Sequence, residues 1–138
     1  MAAPLFSTLS AVTELFVTAA VYTVIWQAYR HDRFRGGLLT FALTYEVLVN
    51  VAYMTLRLVA DGGASDRPEW LSLLYAGHGL LSLVMLIGLI WFGLAAFRAH
   101  RRGRNLFREQ RAATVAFVVL WGISILSGEA IYLAEYVF

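Results

Sequence analysis

Each of the four long apolar stretches in this sequence contains one ionisable residue that could do chemistry: Glu14, Glu46, His78 and Glu129. Three carboxyl groups and an imidazole that converge in a low-dielectric interior cannot all remain charged and unpaired. Either some carboxyl groups hold a proton, or a cation lies among them. Since carboxylate and imidazole groups bind zinc, manganese, iron and copper, these four residues are a candidate metal or proton site. Structural pairing with neighbouring polar side chains is the alternative.

Further polar residues recur at helical spacing around these groups. On the second stretch they follow the i, i+4, i+7, i+11 pattern of a single helix face, as Glu46, Asn50, Tyr53 and Arg57. The third and fourth stretches each add a tyrosine three residues from the ionisable group. We therefore predict a polar cavity that a quinone or another lipid-soluble molecule could occupy, with binding residues Asn50, Tyr53, Arg57, Tyr75 and Tyr132.

The residue types do not identify a single cofactor. There is no cysteine, which excludes thiolate metal sites, disulfides and Cys-linked haem. His31 and His100 lie in basic turns, so only His78 could bind haem at depth, with Arg57 near a propionate. Copper, zinc, iron and haem therefore remain as candidate cofactors. No Ser-His-Asp arrangement, phosphate loop or redox thiol can be assembled, and no catalytic residue is predicted.

Membrane-spanning helices must position these side chains. The 138-residue chain is 60% hydrophobic and 14% charged, and a soluble monomer would expose too much apolar surface. About 20 apolar residues cross the hydrocarbon core of a bilayer. Backbone amides in lipid must bond within their own segment, which requires helices. We predict a single all-α domain, an up-down four-helix transmembrane bundle, with helices over 5–29, 36–58, 70–97 and 112–136.

The distribution of charge predicts how this bundle is oriented. All eleven basic residues are arginine, with three in the loop 30–35 and six in the loop 98–111. The loop 59–69 is acidic. The positive-inside rule therefore places loops 30–35 and 98–111 in the cytoplasm, with loop 59–69 and both termini outside the inner (plasma) membrane. Both basic clusters are short and lie between apolar spans, so bilayer orientation explains them better than nucleic acid does.

Several segments resemble a known family. In WGISILSGEAIYL, Trp121 is followed seven residues later by Gly128 and then by Tyr132. Other matching segments, in chain order, are RHDRFRGGLLTFAL, AYMTLRL, YAGHGLLSL and RAHRRGR. Together they resemble the bacterial four-helix membrane family implicated in maturation of haem–copper oxidases (the CtaM/YozB-like proteins). His31 and His78 match histidine positions of that family, whereas Arg57 stands where a further histidine is expected.

Three hypotheses about function follow. The first, which the resemblance implies, is a non-catalytic assembly factor or accessory subunit of a respiratory-type membrane complex, with other membrane subunits and the lipid bilayer as partners. Four glycines would permit close helix packing in such a complex: Gly77, Gly79, Gly88 and Gly93. The second is a metal- or proton-handling protein that uses the Glu/His set. The third is a binder, or an enzyme, of a quinone or similar molecule.

Overall fold

The long apolar segments form helices with nearly the predicted bounds. The computed structural model describes residues 5–60 and 68–138, without the side chains of residues 57, 58 and 60. Within these residues there is no strand, and the helices are α1 (Leu5–His31), α2 (Gly36–Ala60), α3 (Glu69–Arg101), α4 (Leu106–Glu109) and α5 (Arg111–Tyr136). All but α4 are long and apolar enough to cross a membrane. The predicted all-α, multi-pass four-helix architecture is confirmed.

The four spanning helices form a ring. Helix α1 packs against α2 and α5, and α3 packs against the same two neighbours. Short connections make sequential helices antiparallel. Residues 30–35 and 98–111 therefore lie together at one end of the bundle, which we call the arginine end. The first turns of α1 and α3 and the last turns of α2 and α5 lie at the other end.

Helix α3 ends at the arginine end in a well-defined turn. The helix continues to Arg101, four residues beyond the predicted end at Phe97. The amide of Gly103 donates to the carbonyl of His100, and the amide of Arg104 donates to that of Ala99 over 2.9 Å. This pair of bonds is a Schellman motif, which needs a left-handed residue at Gly103 (φ 70°).

The short helix α4 was not predicted. Hydrogen bonds from Asn105 and Arg108 attach it to the end of α1. Asn105 caps α4, and its side-chain amide donates to the carbonyl of Ala28 at 2.6 Å and to Asp32 at 2.7 Å. The guanidinium of Arg108 donates to the carbonyl of Tyr29 at 2.6 Å. These bonds satisfy carbonyl groups that the last turn of α1 would otherwise leave without a partner.

The hydrophobic core lies in the half of the bundle nearer the arginine end. The rings of Phe107, Phe92, Phe117 and Trp121 contact one another in that order, with centroids 5.3 to 5.6 Å apart; the first pair meets edge to face and the other two pairs are stacked. Gly93 allows α2 to approach, because a Cβ at this position would lie 3.0 Å from Leu43. The buried apolar side chains are thus concentrated in this half of the bundle.

Candidate functional site

The half of the bundle away from the arginine end encloses a cavity of about 630 Å³. This volume lies in the range of pockets that hold drug-sized molecules, roughly 300–1,000 Å³. Side chains from all four spanning helices line it. Its polar lining residues are Ser7, Ser10, Glu14, Glu46, Asn50, Tyr53, Tyr75, His78, Ser82, Ser124, Glu129, Tyr132, Glu135 and Tyr136.

The structure brings the predicted site residues to this cavity. The predicted metal set lines it, and so do four of the five predicted ligand-binding residues, namely Asn50, Tyr53, Tyr75 and Tyr132. The fifth, Arg57, lies on α2, but its side chain falls outside the described residues. One ionisable group from each spanning helix thus lines the same cavity, and a binding role for these groups remains a prediction.

Glu46 is the most deeply buried polar residue of the site, with 2% of its surface exposed. Its Oε2 accepts a hydrogen bond of 2.7 Å from the side-chain amide of Asn50, one helical turn further along α2. Its Oε1 is buried and has no hydrogen-bond donor among the described residues. An unsatisfied buried oxygen is costly. The Glu46 carboxyl is therefore hydrogen-bonded at Oε2 and has no donor at Oε1 among the described residues.

Glu14 faces Glu46 from the neighbouring helix α1. The two carboxyl groups interact electrostatically, and the charge of Glu129 on α5 also acts on Glu14. A carboxylate is only an acceptor, so no hydrogen bond joins Glu14 to Glu46 while both are ionised. Within 5–60 and 68–138, however, no three His, Asp or Glu side chains group closely enough to hold a metal ion. This arrangement does not support the predicted four-residue metal site.

His78 is fixed in one orientation by α5. Its Nδ1 lies 2.8 Å from the hydroxyl of Ser127, and that hydroxyl donates its only proton to the carbonyl of Ser124 at 2.7 Å. While Ser127 donates to Ser124, the hydrogen bond between Ser127 and His78 has Nδ1–H as its donor.

Several residues of the site were missed by sequence reasoning. Glu135 accepts a hydrogen bond from the hydroxyl of Tyr75, and the hydroxyls of Thr8 and Tyr132 lie 2.9 Å apart. The sequence did contain a pattern that could have predicted Glu135 as a lining residue. It lies on one helix face with other lining residues, at successive spacings of four, four and three in Ser124, Gly128, Tyr132 and Glu135. The contact of Ser127 with His78 depends on the register between α3 and α5, which no single segment encodes.

Comparison of the chain with protein-family models, curated proteins and solved structures gives no match. The resemblance to the haem–copper oxidase maturation family therefore remains a prediction.

Proposed function

We propose that this protein is a membrane-embedded binding protein for a small lipid-soluble molecule with a polar headgroup. The observation that carries this proposal is the cavity of about 630 Å³ whose walls come from all four spanning helices. Glu46 lines it, and the buried Oε1 of this residue has no hydrogen-bond partner within the described residues. Since an unsatisfied buried polar group costs free energy, a ligand that pairs with this atom recovers that cost.

The surroundings of the cavity favour a ligand that is itself soluble in lipid. The outer faces of the helices carry many exposed apolar side chains, such as Leu80 (67% exposed) and Trp91 (69% exposed). Lipid therefore surrounds the bundle, and a ligand with an apolar body reaches the protein by partitioning into the membrane. Quinones belong to this chemical class. With the arginine end in the cytoplasm, as the charge distribution predicts, the cavity lies in the outer half of the membrane.

The test is to fill the cavity and look for loss of bound small molecules. Gly79 lines the cavity, and a Cβ at this position meets nothing within 4 Å. Gly88 is equally open on the same helix but does not line the cavity, so Gly88→Leu is the matched control. We expect mass spectrometry of the protein purified in mild detergent to detect a lipid-soluble molecule that Gly79→Leu loses and Gly88→Leu retains. Equal recovery from both variants would contradict the proposal.

A second candidate function is the predicted role as an assembly factor or accessory subunit of a respiratory-type complex. It is favoured by an exposed apolar stripe on α3 with alternating spacings of four and three residues: Leu73, Gly77, Leu80, Val84, Ile87, Trp91 and Leu94. This spacing suits packing against another helix, and a glycine within it permits close approach. We expect Gly77→Leu to dissociate the protein from a larger complex on native gels. Recovery of the wild type only as a free monomer would argue against this role.

A further inference from the structure

We infer that the ligand of this cavity is an organic cation: an apolar molecule with a protonated amine, whose ammonium group binds between Glu46 and Glu14. The inference rests on the proposed function and names the chemical class of its ligand. Three independent features of the cavity support it. These are its charge, the unsatisfied oxygen of Glu46 and its aromatic lining.

The charge of the lining is acidic. Carboxyl groups reach the cavity from three helices: Glu14 from α1, Glu46 from α2, and Glu129 and Glu135 from α5. Helix α3 contributes His78. The nine arginines whose side chains are described all belong to 30–35 and 98–111, at the opposite end of the bundle. Among the described lining residues there is thus no arginine or lysine beside Glu14, Glu46 and Glu129.

The unsatisfied oxygen of Glu46 shows where a donor is missing. Glu46 lines the cavity, and its Oε1 is buried with no hydrogen-bond donor within the described residues, whereas Oε2 is already bonded to Asn50. An ammonium group has three N–H donors and no acceptor. It can donate to Oε1 of Glu46 and to the facing carboxyl of Glu14 at once. Charge-assisted hydrogen bonds of this kind are roughly twice as strong as neutral ones.

The aromatic lining suits the same ligand. The cavity is lined by four tyrosines and one tryptophan: Tyr53, Tyr75, Tyr132, Tyr136 and Trp121. Faces of aromatic rings attract cations through their quadrupole, and they also pack well against an apolar body. Carboxylates combined with aromatic walls therefore match both halves of an amphipathic amine.

The same features distinguish an amine from a quinone. Quinone oxygens are acceptors, and an ionised Glu46 is also only an acceptor. With Glu46 ionised, a quinone headgroup leaves its Oε1 unsatisfied, whereas an ammonium group satisfies it and neutralises the buried charge. A quinone oxygen requires a protonated Glu46 as its donor, so the two headgroups need opposite ionisation states of this residue. Buried charge is tolerated in proteins mainly when it is paired.

The experiment uses two probes that differ only in headgroup: 4-phenylbutylamine, which is cationic at neutral pH, and the neutral 4-phenylbutan-1-ol. Binding to the full chain in lipid nanodiscs is measured by equilibrium dialysis, with protein-free nanodiscs subtracted. We expect the wild type to bind the amine saturably and at least about tenfold more tightly than the alcohol. Glu46→Gln, which keeps the size of the side chain, should weaken amine binding at least about tenfold and alcohol binding far less, because a hydroxyl carries no charge to pair with the carboxylate.

The matched control is Glu69→Gln, which removes the same charge from an exposed position in the first turn of α3 outside the cavity. It should bind the amine as the wild type does. If Glu46→Gln fails to fold, the amine-to-alcohol ratio of the wild type and the Glu14→Gln variant decide the question. Equal binding of both probes, unaffected by Glu46→Gln, would overturn the cation inference and leave the proposed function standing. Absence of saturable binding by either probe would contradict both.

Discussion

The imidazole of His78 on α3 packs directly against Gly128 on α5. A Cβ at residue 128 would lie 2.9 Å from Cε1 and 3.3 Å from Nε2 of the ring. The hydroxyl of Ser127, the preceding residue, lies 2.8 Å from Nδ1. Helix α5 thus fixes the ring by a contact that only glycine permits and by a hydrogen bond.

A methyl group at Gly128 should therefore disturb the site. In Gly128→Ala the ring of His78 must shift, which breaks its bond to Ser127, and we expect the free energy of unfolding to fall by about 1–3 kcal/mol. Detergent-induced unfolding followed by circular dichroism measures this change. Gly88→Ala is the control, since a Cβ there meets nothing within 4 Å, and it should stabilise the helix by about 0.5–1 kcal/mol. Equal stabilisation by both substitutions would contradict the role of Gly128.

The spans and the convergence of Glu14, Glu46, His78 and Glu129 could be predicted from the sequence. A membrane requires about 20 apolar residues in each span, so the length of each helix is nearly fixed. Short loops bring the helix ends together. Counting residues from the helix ends then gives the depth of each ionisable group, at 1.5 Å per residue.

Other features depend on contacts between distant segments and could not be predicted. Helix α4 has only four residues, too few for a periodic pattern, and Asn105 and Arg108 hold it by bonding to α1. Which oxygen of Glu46 is left unsatisfied depends on how α1 and α2 are rotated against each other. That rotation is set by packing over the whole length of the helices, and the spacing of polar residues along one helix does not determine it.

Asn105 should be a strong contributor to stability at the arginine end. It caps α4 and donates to Ala28 and Asp32 on the α1 side. Asn105→Ala removes these bonds and leaves the carbonyl of Ala28 without that donor, so we expect a loss of about 1–3 kcal/mol in detergent-induced unfolding. Gln110, which makes no side-chain cap to α5, supplies the control. Gln110→Ala should change stability by less than about 0.5 kcal/mol, and a similar loss in both variants would refute the assignment.

The exposed pair Arg104 and Glu109 should give a small pH dependence. The guanidinium of Arg104 bonds both carboxylate oxygens of Glu109, at 2.5 and 3.1 Å. This hydrogen bonding holds the pKa of Glu109 below its ordinary value. A group whose pKa is lower in the folded state stabilises the fold above its unfolded pKa. That contribution is lost as the pH falls through the folded pKa.

Carboxyl carbon NMR of the labelled protein measures this pKa directly. We expect Arg104→Gln to raise the pKa of Glu109 toward its ordinary value, because both hydrogen bonds and the nearby charge are lost. High salt should have the same effect in part, since it screens exposed ion pairs. A Glu109 pKa that does not move in Arg104→Gln would show that the pair does not form in solution.

The bond between Asn50 and Glu46 allows stability and function to be separated. Asn50→Leu removes the donor to Oε2 of Glu46 and leaves a buried carboxyl group with neither oxygen satisfied on α2, so we expect a loss of about 1–3 kcal/mol. Replacing both partners, in Glu46→Met with Asn50→Leu, removes the unsatisfied group and should restore most of that loss. Thr44→Leu, an exposed change on the same helix, should shift stability by less than about 0.5 kcal/mol.

The double variant should nevertheless fail to bind the amine probe in nanodiscs, although its helices are folded by circular dichroism. Buried polar groups that lower stability persist where function needs them. A double variant as unstable as Asn50→Leu alone would mean that Glu46 contributes to the fold through contacts other than its bond to Asn50. A stable double variant without amine binding would mean that Glu46 is present for its ligand.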